Sequence, residues 1–367
     1  MKKVTGLVLI LFLVIGSVAF AGGGRQSGGG IQVDVFWFRF DDTYTTFVRN
    51  AMLDQLKSLP QLRVTMHDCQ FSQPLQAQMV QTAITQGSKL LIVNIVTTGS
   101  EDAAMNIVNM AKAANVPIIF FNREVSNAVI NSYNNACFVG TDADEAGYME
   151  GQAIAEYLLK PENWNGNRSK YDLNGDNRIN YIMLRGEHGN AEAFGRTKYS
   201  IVEANRLLSG RLTLVPSAAN ETSTQYENDG ISNYFLYANW DTGTAANLMR
   251  TALTAHSLTN GAIELIVANN DDAALGAIEA INEQGFNTGR GGGYIPVFGV
   301  DAHAVAQEAI RAGRMTGSVL QDADGMASTI LALAQNVADG FHVFTATSRF
   351  NVDRGVNKIR VPYAIFN

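Results

Sequence analysis

IELIVANND (263–271) is a run of apolar, partly β-branched residues that ends abruptly in Asn269, Asn270 and Asp271 before a longer amphipathic segment begins. A short apolar run bounded by polar residues reads as a strand buried on both faces, and the helical periodicity after it reads as a crossover helix. Working outward, the same unit recurs before it as IQVDVFWFRF (31–40), RVTMHDC (63–69), KLLIVNIV (89–96), VPIIFFN (116–122), ACFVGTD (136–142), INYIMLRGE (179–187) and RLTLVP (211–216), and after it as YIPVFGVD (294–301) and TGSVLQD (316–322). Helical stretches such as 45–58 stand between these runs. Apolar strands alternating with helices predict parallel sheets covered on both sides, and two such sets predict two doubly wound α/β lobes.

The 367 residues are enough for about two domains. Apolar residues make up 46% and charged residues 17%, a globular composition that excludes a disordered chain or a membrane bundle. With 27 Lys plus Arg against 34 Asp plus Glu, the net charge is -7, and no basic run could track a phosphate backbone, so nucleic acid is not expected as a partner.

Lys2 and Lys3, the apolar run 7–15 and Ala19-Phe20-Ala21 read as a cleaved signal peptide over 1–21, and GGGRQSGGG (22–30) as a tether. Export takes away two lysines and makes the balance 25 minus 34, or -9. No Cys near the cleavage site signals a lipid anchor, and no second apolar run reaches the roughly 18–20 residues of a membrane span. Cys69 and Cys137, each at the end of an apolar run, read as two buried free thiols.

Polar groups gather where the strands end: Asp41 and Asp42; Asn122, Arg123 and Glu124; Glu187, His188 and Asn190; Asn269–Asp272; Asp301; and Gln321 with Asp322. In open α/β sheets ligands bind beyond the carboxyl ends of the strands. Asp and Asn also cap helices at such turns, which accounts for any single one of them. Six strands ending this way favour a polar cleft. Carboxylates, amides and an arginine suit a neutral polyol, and Tyr44 and Trp240 are aromatics placed to cover a sugar's apolar face, unless they are core. There is no G-x-x-x-x-G-K, and GRGGG (289–293) precedes a strand, so it reads as a loop and not as a phosphate cradle. No nucleophile is paired with a base, and no enzyme is expected.

DLNGDNRIN (172–180) places Asp172, Asn174 and Asp176 at positions 1, 3 and 5 of a calcium loop, the Arg178 carbonyl at position 7 and Asn180 at position 9. Position 6 is Asn177, which tolerates a left-handed backbone, and position 12 is Met183. A helix-loop-helix hand is excluded, and the missing bidentate carboxylate must come from elsewhere. The alternative is a solvated turn of Asp and Asn.

From Val33 to Ile365 the blocks FDDTY (40–44), VPIIFFNRE (116–124), FVGTDADEAG (138–147), DLNGDNRI (172–179), IELIVANND (263–271), IPVFGVDA (295–302), GSVLQDA (317–323) and IRVPYA (359–364) resemble, in order, the galactose/glucose-binding branch of the type I periplasmic binding proteins. The resemblance implies sugar contacts by Asp42, Asn122, Arg196, Asn270 and Asp301, with Trp240 stacking on the pyranose and Tyr44 where the family has a Phe. It implies calcium held by Asp172, Asn174, Asp176, Asn180, the Arg178 carbonyl and a distant Glu264. Asn190 and Glu192 stand where the family has His and Asp, and Gln321 where it has Asn. Residues 220–236 form an insertion upstream of Trp240.

It further implies a first lobe of 31–139 plus 323–352, a second of 140–321 plus 353–367, and a hinge of three crossings near 139–141, 321–323 and 351–358. The function implied is capture of an aldohexose by a periplasmic monomer, then delivery to an inner-membrane ABC permease and to a chemoreceptor. A binding protein for another polar ligand, such as a pentose, is the alternative. A sugar-responsive repressor of the same fold would need an N-terminal helix-turn-helix, where this chain has a leader.

Overall fold

The computed structural model describes residues 30–166, 168–214, 236–260 and 262–366. The expected leader, the tether up to residue 29 and the insertion short of Leu236 lie outside the described residues.

The first five apolar runs form the parallel strands β1 (Ile31–Trp37), β2 (Leu62–Asp68), β3 (Leu90–Val93), β4 (Ile118–Phe121) and β5 (Ala136–Gly140), laid side by side as β2-β1-β3-β4-β5. Alternation explains why these runs are apolar throughout. Val35, Trp37, Ile119, Phe121 and Val139 face one cover, built from α1 (Thr43–Leu56) and the helix Ala323–Ala338. Phe36, Leu91, Val93, Phe120 and Phe138 face the other, which carries Val80 of α2 (Gln73–Thr85), Ile107 and Val108 of α3 (Glu101–Ala113) and Val129 of α4 (Asn127–Asn131). Burying each such side chain contributes about 1.5–3 kcal/mol. Cys69 and Cys137 are buried, free, and on opposite faces of this sheet.

After a small hairpin, β6 (Trp164–Asn165) and β7 (Arg168–Ser169), the second lobe repeats the plan. Its strands β8 (Ile179–Arg185), β11 (Leu265–Ala268), β12 (Val297–Asp301) and β13 (Gly317–Gln321) are parallel. β9 (Leu212–Leu214) and β10 (Leu236–Tyr237) pair with successive halves of the outer edge of β8. In both lobes the strand order reverses beside the first strand, and ligands of open sheets settle at such a switch point.

Three short C-terminal strands went unread in the sequence. β14 (Asn351–Val352) and β15 (Lys358–Arg360) extend the first sheet next to β5, whereas β16 (Tyr363–Phe366) runs antiparallel to β13 in the second. The expected third crossing at 351–358, and the assignment of all of 353–367 to the second lobe, are therefore corrected. Lys358 and Arg360 pair with Phe138 and Gly140, so the chain crosses at 361–362. The other crossings fall between β5 and α5 (Ala143–Leu158), and between β13 and the helix Ala323–Ala338.

Among the described residues every α-helix has a side-chain N-cap, Asp42, Asn190, Asn270 and Asp322 among them. α6 (Ala191–Leu207) packs tightly on α5 because both present glycine: a Cβ on Gly147 would lie 2.5 Å from the Gly195 carbonyl oxygen. That contact fixes the helix that carries Glu192 and Arg196.

Candidate binding site

Asp42, Tyr44, Asn122, Asn190, Glu192, Arg196, Trp240, Asn270, Asp301 and Gln321, the ten residues marked in the sequence, line one cavity between the lobes. Phe38 and Arg123 complete its wall. Phe38 was read as strand interior, but β1 ends at Trp37 and makes it a strand-end residue. Arg123 was seen at a strand end and not singled out. It is buried, its Nε donates to the Ile95 carbonyl at 2.7 Å, and its Nη2 meets Glu187 Oε2 across the cleft at 2.6 Å.

Capping and cleft-lining turn out to be one arrangement. Asp42 Oδ1 accepts from the Thr45 N–H at 2.8 Å, while Oδ2 makes no hydrogen bond among the described residues and has Arg39 Nη2 at 4.0 Å. Asn190 Oδ1 accepts from the N–H groups of Glu192 and Ala193, which leaves its amide nitrogen over. Asn270 Oδ1 accepts from the Ala273 N–H, and its Nδ2 donates to the Trp240 carbonyl at 3.3 Å. Asn122 Oδ1 accepts from Asn94 Nδ2 at 3.1 Å, again with an amide nitrogen to spare.

Three wall residues have strained backbones: Asn122 (φ 58°), Trp240 (φ 67°) and Asp301 (φ 116°) lie in the left-handed region that favours glycine. The indole of Trp240 lies on Gly186, where a Cβ would come within 2.3 Å of the ring. Burial pushes the Asp301 carboxyl well above the usual carboxylate range; Arg196 opposes this, and Asp271 behind it adds to it.

Arg196 is buried with all five of its N–H groups engaged. Nε faces Glu192 Oε2 at 3.1 Å. Nη1 faces the Asn269 carbonyl at 2.8 Å and Asp301 Oδ1 at 3.5 Å. Nη2 faces Gln321 Oε1 and the Tyr363 hydroxyl, both at 2.9 Å. Burial opposes its charge, but Tyr363, Glu192 and Asp301 outweigh that and raise its pKa.

The loop at 172–180 is a separate site. Glu264 comes to it as the resemblance implied: Oε1 accepts from the Leu173 N–H at 2.7 Å and Oε2 from the Asn180 N–H at 2.8 Å. Asp172 accepts from the N–H groups of Gly175 and Asn177, and Arg168 Nε sits 3.0 Å from its Oδ2. Asn177 takes φ 62°, the left-handed turn that position 6 requires. Among the described residues no group of three or more His, Cys, Asp or Glu is gathered as a ready metal centre. The amides and the Arg178 carbonyl would have to complete a shell. The donors are all hard oxygens, which fit calcium and no softer ion.

Two doubly wound lobes joined by three crossings, with a polar cavity between them, are the architecture of the type I periplasmic binding protein fold. Residues 33–341 match the periplasmic binding protein domain, and the chain belongs to that family. It is a binding protein and not an enzyme. Among its relatives is the D-galactose/methyl-galactoside binding periplasmic protein of Haemophilus influenzae, 30% identical over 363 residues, which is 99% of this chain and 96% of the relative. A putative rhizopine-binding protein of Rhizobium meliloti is 26% identical, over 82% of each chain. Among solved structures, a solute-binding protein from Bacillus halodurans with bound myo-inositol aligns with a TM-score of 0.69 at 23% identity, covering 94% of this chain and 96% of the other. One from Chloroflexus aurantiacus with D-glucose aligns at 0.70 and 18% identity, over 92% of each. No described helix is long and apolar enough to cross a membrane.

Proposed function

We propose that this protein captures an aldohexose, galactose or glucose, in the periplasm by hinge closure and delivers it to an inner-membrane ABC permease, with a chemoreceptor as a second recipient of the closed form. The observation that carries the reading is the meeting, in one interlobe cavity, of ten polar and aromatic residues drawn from both lobes and the hinge. Carboxylate oxygens of Asp42 and Asp301 accept from sugar hydroxyls, the amide nitrogens of Asn122 and Asn190 donate to them, and Trp240 covers an apolar ring face. Because Asp42 and Asn122 belong to one lobe and Asn190, Trp240 and Asp301 to the other, a sugar gains its full set of bonds only when the lobes are closed.

The test is calorimetric titration with galactose, glucose, xylose, ribose and myo-inositol. Micromolar or tighter binding of an aldohexose is expected, with the sugar recovered unchanged. Binding of no monosaccharide below about 1 mM would end the reading. A pentose is the second reading. Glu192 and Gln321 are each one methylene longer than the family's Asp and Asn, and preference for xylose or ribose over both hexoses would favour it.

We further propose that the loop at 172–180, with Glu264, binds calcium as a structural ion. Three carboxylates, two amides and a carbonyl support this donor set. The ion would add no chemistry to the cleft, since Glu264 lies six residues before Asn270, about 20 Å of extended strand away.

A further inference from the structure

Each crossing of the hinge contributes one polar side chain to the same buried knot. Thr141 comes from the first, Gln321 from the second and Tyr363 from the third. All three are buried. Thr141 Oγ1 donates to Glu192 Oε1 at 2.7 Å and accepts from Gln321 Nε2 at 3.4 Å. The Tyr363 hydroxyl stands 2.9 Å from Thr141 Oγ1 and 2.8 Å from Glu192 Oε2, and accepts from Arg196 Nη2 at 2.9 Å. Neither Thr141 nor Tyr363 lines the cavity; they reach it only through Glu192, Arg196 and Gln321, which do.

We infer that Tyr363 and Thr141 are positioning residues through which the hinge sets the ligand-facing geometry of Arg196 and Glu192, so that sugar capture and lobe closure share one hydrogen-bond network. The count of donors and acceptors supports this. With five N–H groups already engaged, Arg196 can turn one toward a sugar only by releasing a protein acceptor. Two of those acceptors, Gln321 Oε1 and Tyr363 Oη, belong to hinge crossings. A change at the sugar-facing side of Arg196 is therefore felt at two crossings, and the Glu192 carboxylate carries it to the third through Thr141. A buried knot of this kind has discrete alternative bonding patterns, which suits a two-state hinge better than a continuously deformable one. The packing around Tyr363 is apolar, from Ala146, Val300 and Val319, so its ring holds place while its hydroxyl does the coupling.

The inference rests on the proposed sugar site, and the test separates the two. Tyr363→Phe keeps the ring and removes the hydroxyl; Thr141→Val does the same at the first crossing. Affinity for the best hexose would be measured by calorimetry. The distance distribution between spin labels on the two lobes would be measured with and without that hexose. Tyr363→Phe is expected to weaken binding by about tenfold, the cost of one hydrogen bond to a charged group. It should also broaden the interlobe distances of the sugar-free protein. In a Glu192→Gln background its effect should shrink, because the two groups act as one unit. Binding within twofold of wild type, or an unchanged distance distribution in both variants, would overturn the inference. If the wild type binds no sugar, the proposed function fails, and the sugar-free distance distributions still decide this proposal.

Discussion

The cleft and the loop at 172–180 are built from the same side chains and differ in what the backbone leaves over. In the loop, every carboxylate oxygen of Asp172, Asp176 and Glu264 already accepts from a group of the loop itself. In the cleft, each Asp or Asn sits at a strand end where one atom caps a helix or meets a neighbour, and for Asp42, Asn122 and Asn190 the other polar atom is left to a ligand. A residue type therefore says little alone. What matters is how many of its lone pairs and protons the local fold consumes.

The largest expected effect would break the comparison on the cleft side. Asp301→Ala and Asn122→Ala should each lower sugar affinity by about 1.5–3 kcal/mol, with Asp301→Ala at the upper end because it also takes an acceptor from Arg196. Circular dichroism should show the fold kept; unchanged affinity in both would mean that the spare atoms are not used. Next comes the loop. Removing calcium should lower the melting temperature of the sugar-free protein, a loss of about 2.7 kcal/mol of stability where free calcium was a hundredfold above its dissociation constant. Glu264→Gln should abolish that calcium dependence while sugar affinity stays put. Equal melting curves with calcium and with chelator in the wild type would leave the loop a plain turn.

A third carboxylate sharpens the contrast by belonging to neither region. Glu150 on α5 is fully buried, and among the described residues neither of its oxygens has a hydrogen-bond partner. Burial raises its pKa well above the usual value, with Arg196 opposing and Asp271 reinforcing the shift. The folded state thus binds this proton more tightly than the unfolded chain does. Stability should then fall as pH rises above the unfolded pKa of about 4.3, by about 1.4 kcal/mol per pH unit until the folded pKa is reached. Glu150→Gln should remove that slope, leaving stability at pH 5 little changed and raising it at pH 8. Parallel stability-versus-pH curves for the two proteins would refute the assignment. The smallest effect is at the rim. Glu187 is partly exposed, so Glu187→Gln, which weakens the pair with Arg123, should cost about 0.5–1 kcal/mol of sugar affinity at low salt and less at high salt.

Much of this was legible in the sequence. Long buried strands declare themselves because both faces of each sheet are covered, so the ten apolar runs stand out, and the polar residues that stop them mark the cleft. The short strands β14, β15 and β16 carry no such signal: with two to four residues apiece, their pairing comes from the neighbours they add to. That is why the third crossing was misplaced. Phe38 was hidden because the run 31–40 reads on past Trp37, where β1 stops, and Arg123 by standing beside a more obvious Asn122. The role of Tyr363 needed coordinates, since Thr141, Glu192 and Gln321 approach it from 222, 171 and 42 residues away.

The left-handed backbone at Asp301 has an evolutionary side. A non-glycine residue at φ 116° costs on the order of 1–3 kcal/mol, and Ala302 beside it, at φ 47°, adds to the burden. Asp301→Gly would relieve the first of these and discard a cleft carboxylate in the same step. Selection for thermal resistance alone would thus favour a sturdier protein with a blunted pocket, and only continued demand for the ligand keeps the aspartate in place. Stabilised variants from a library screened without sugar should accumulate glycine at 301, whereas the same library screened for retention of sugar should not.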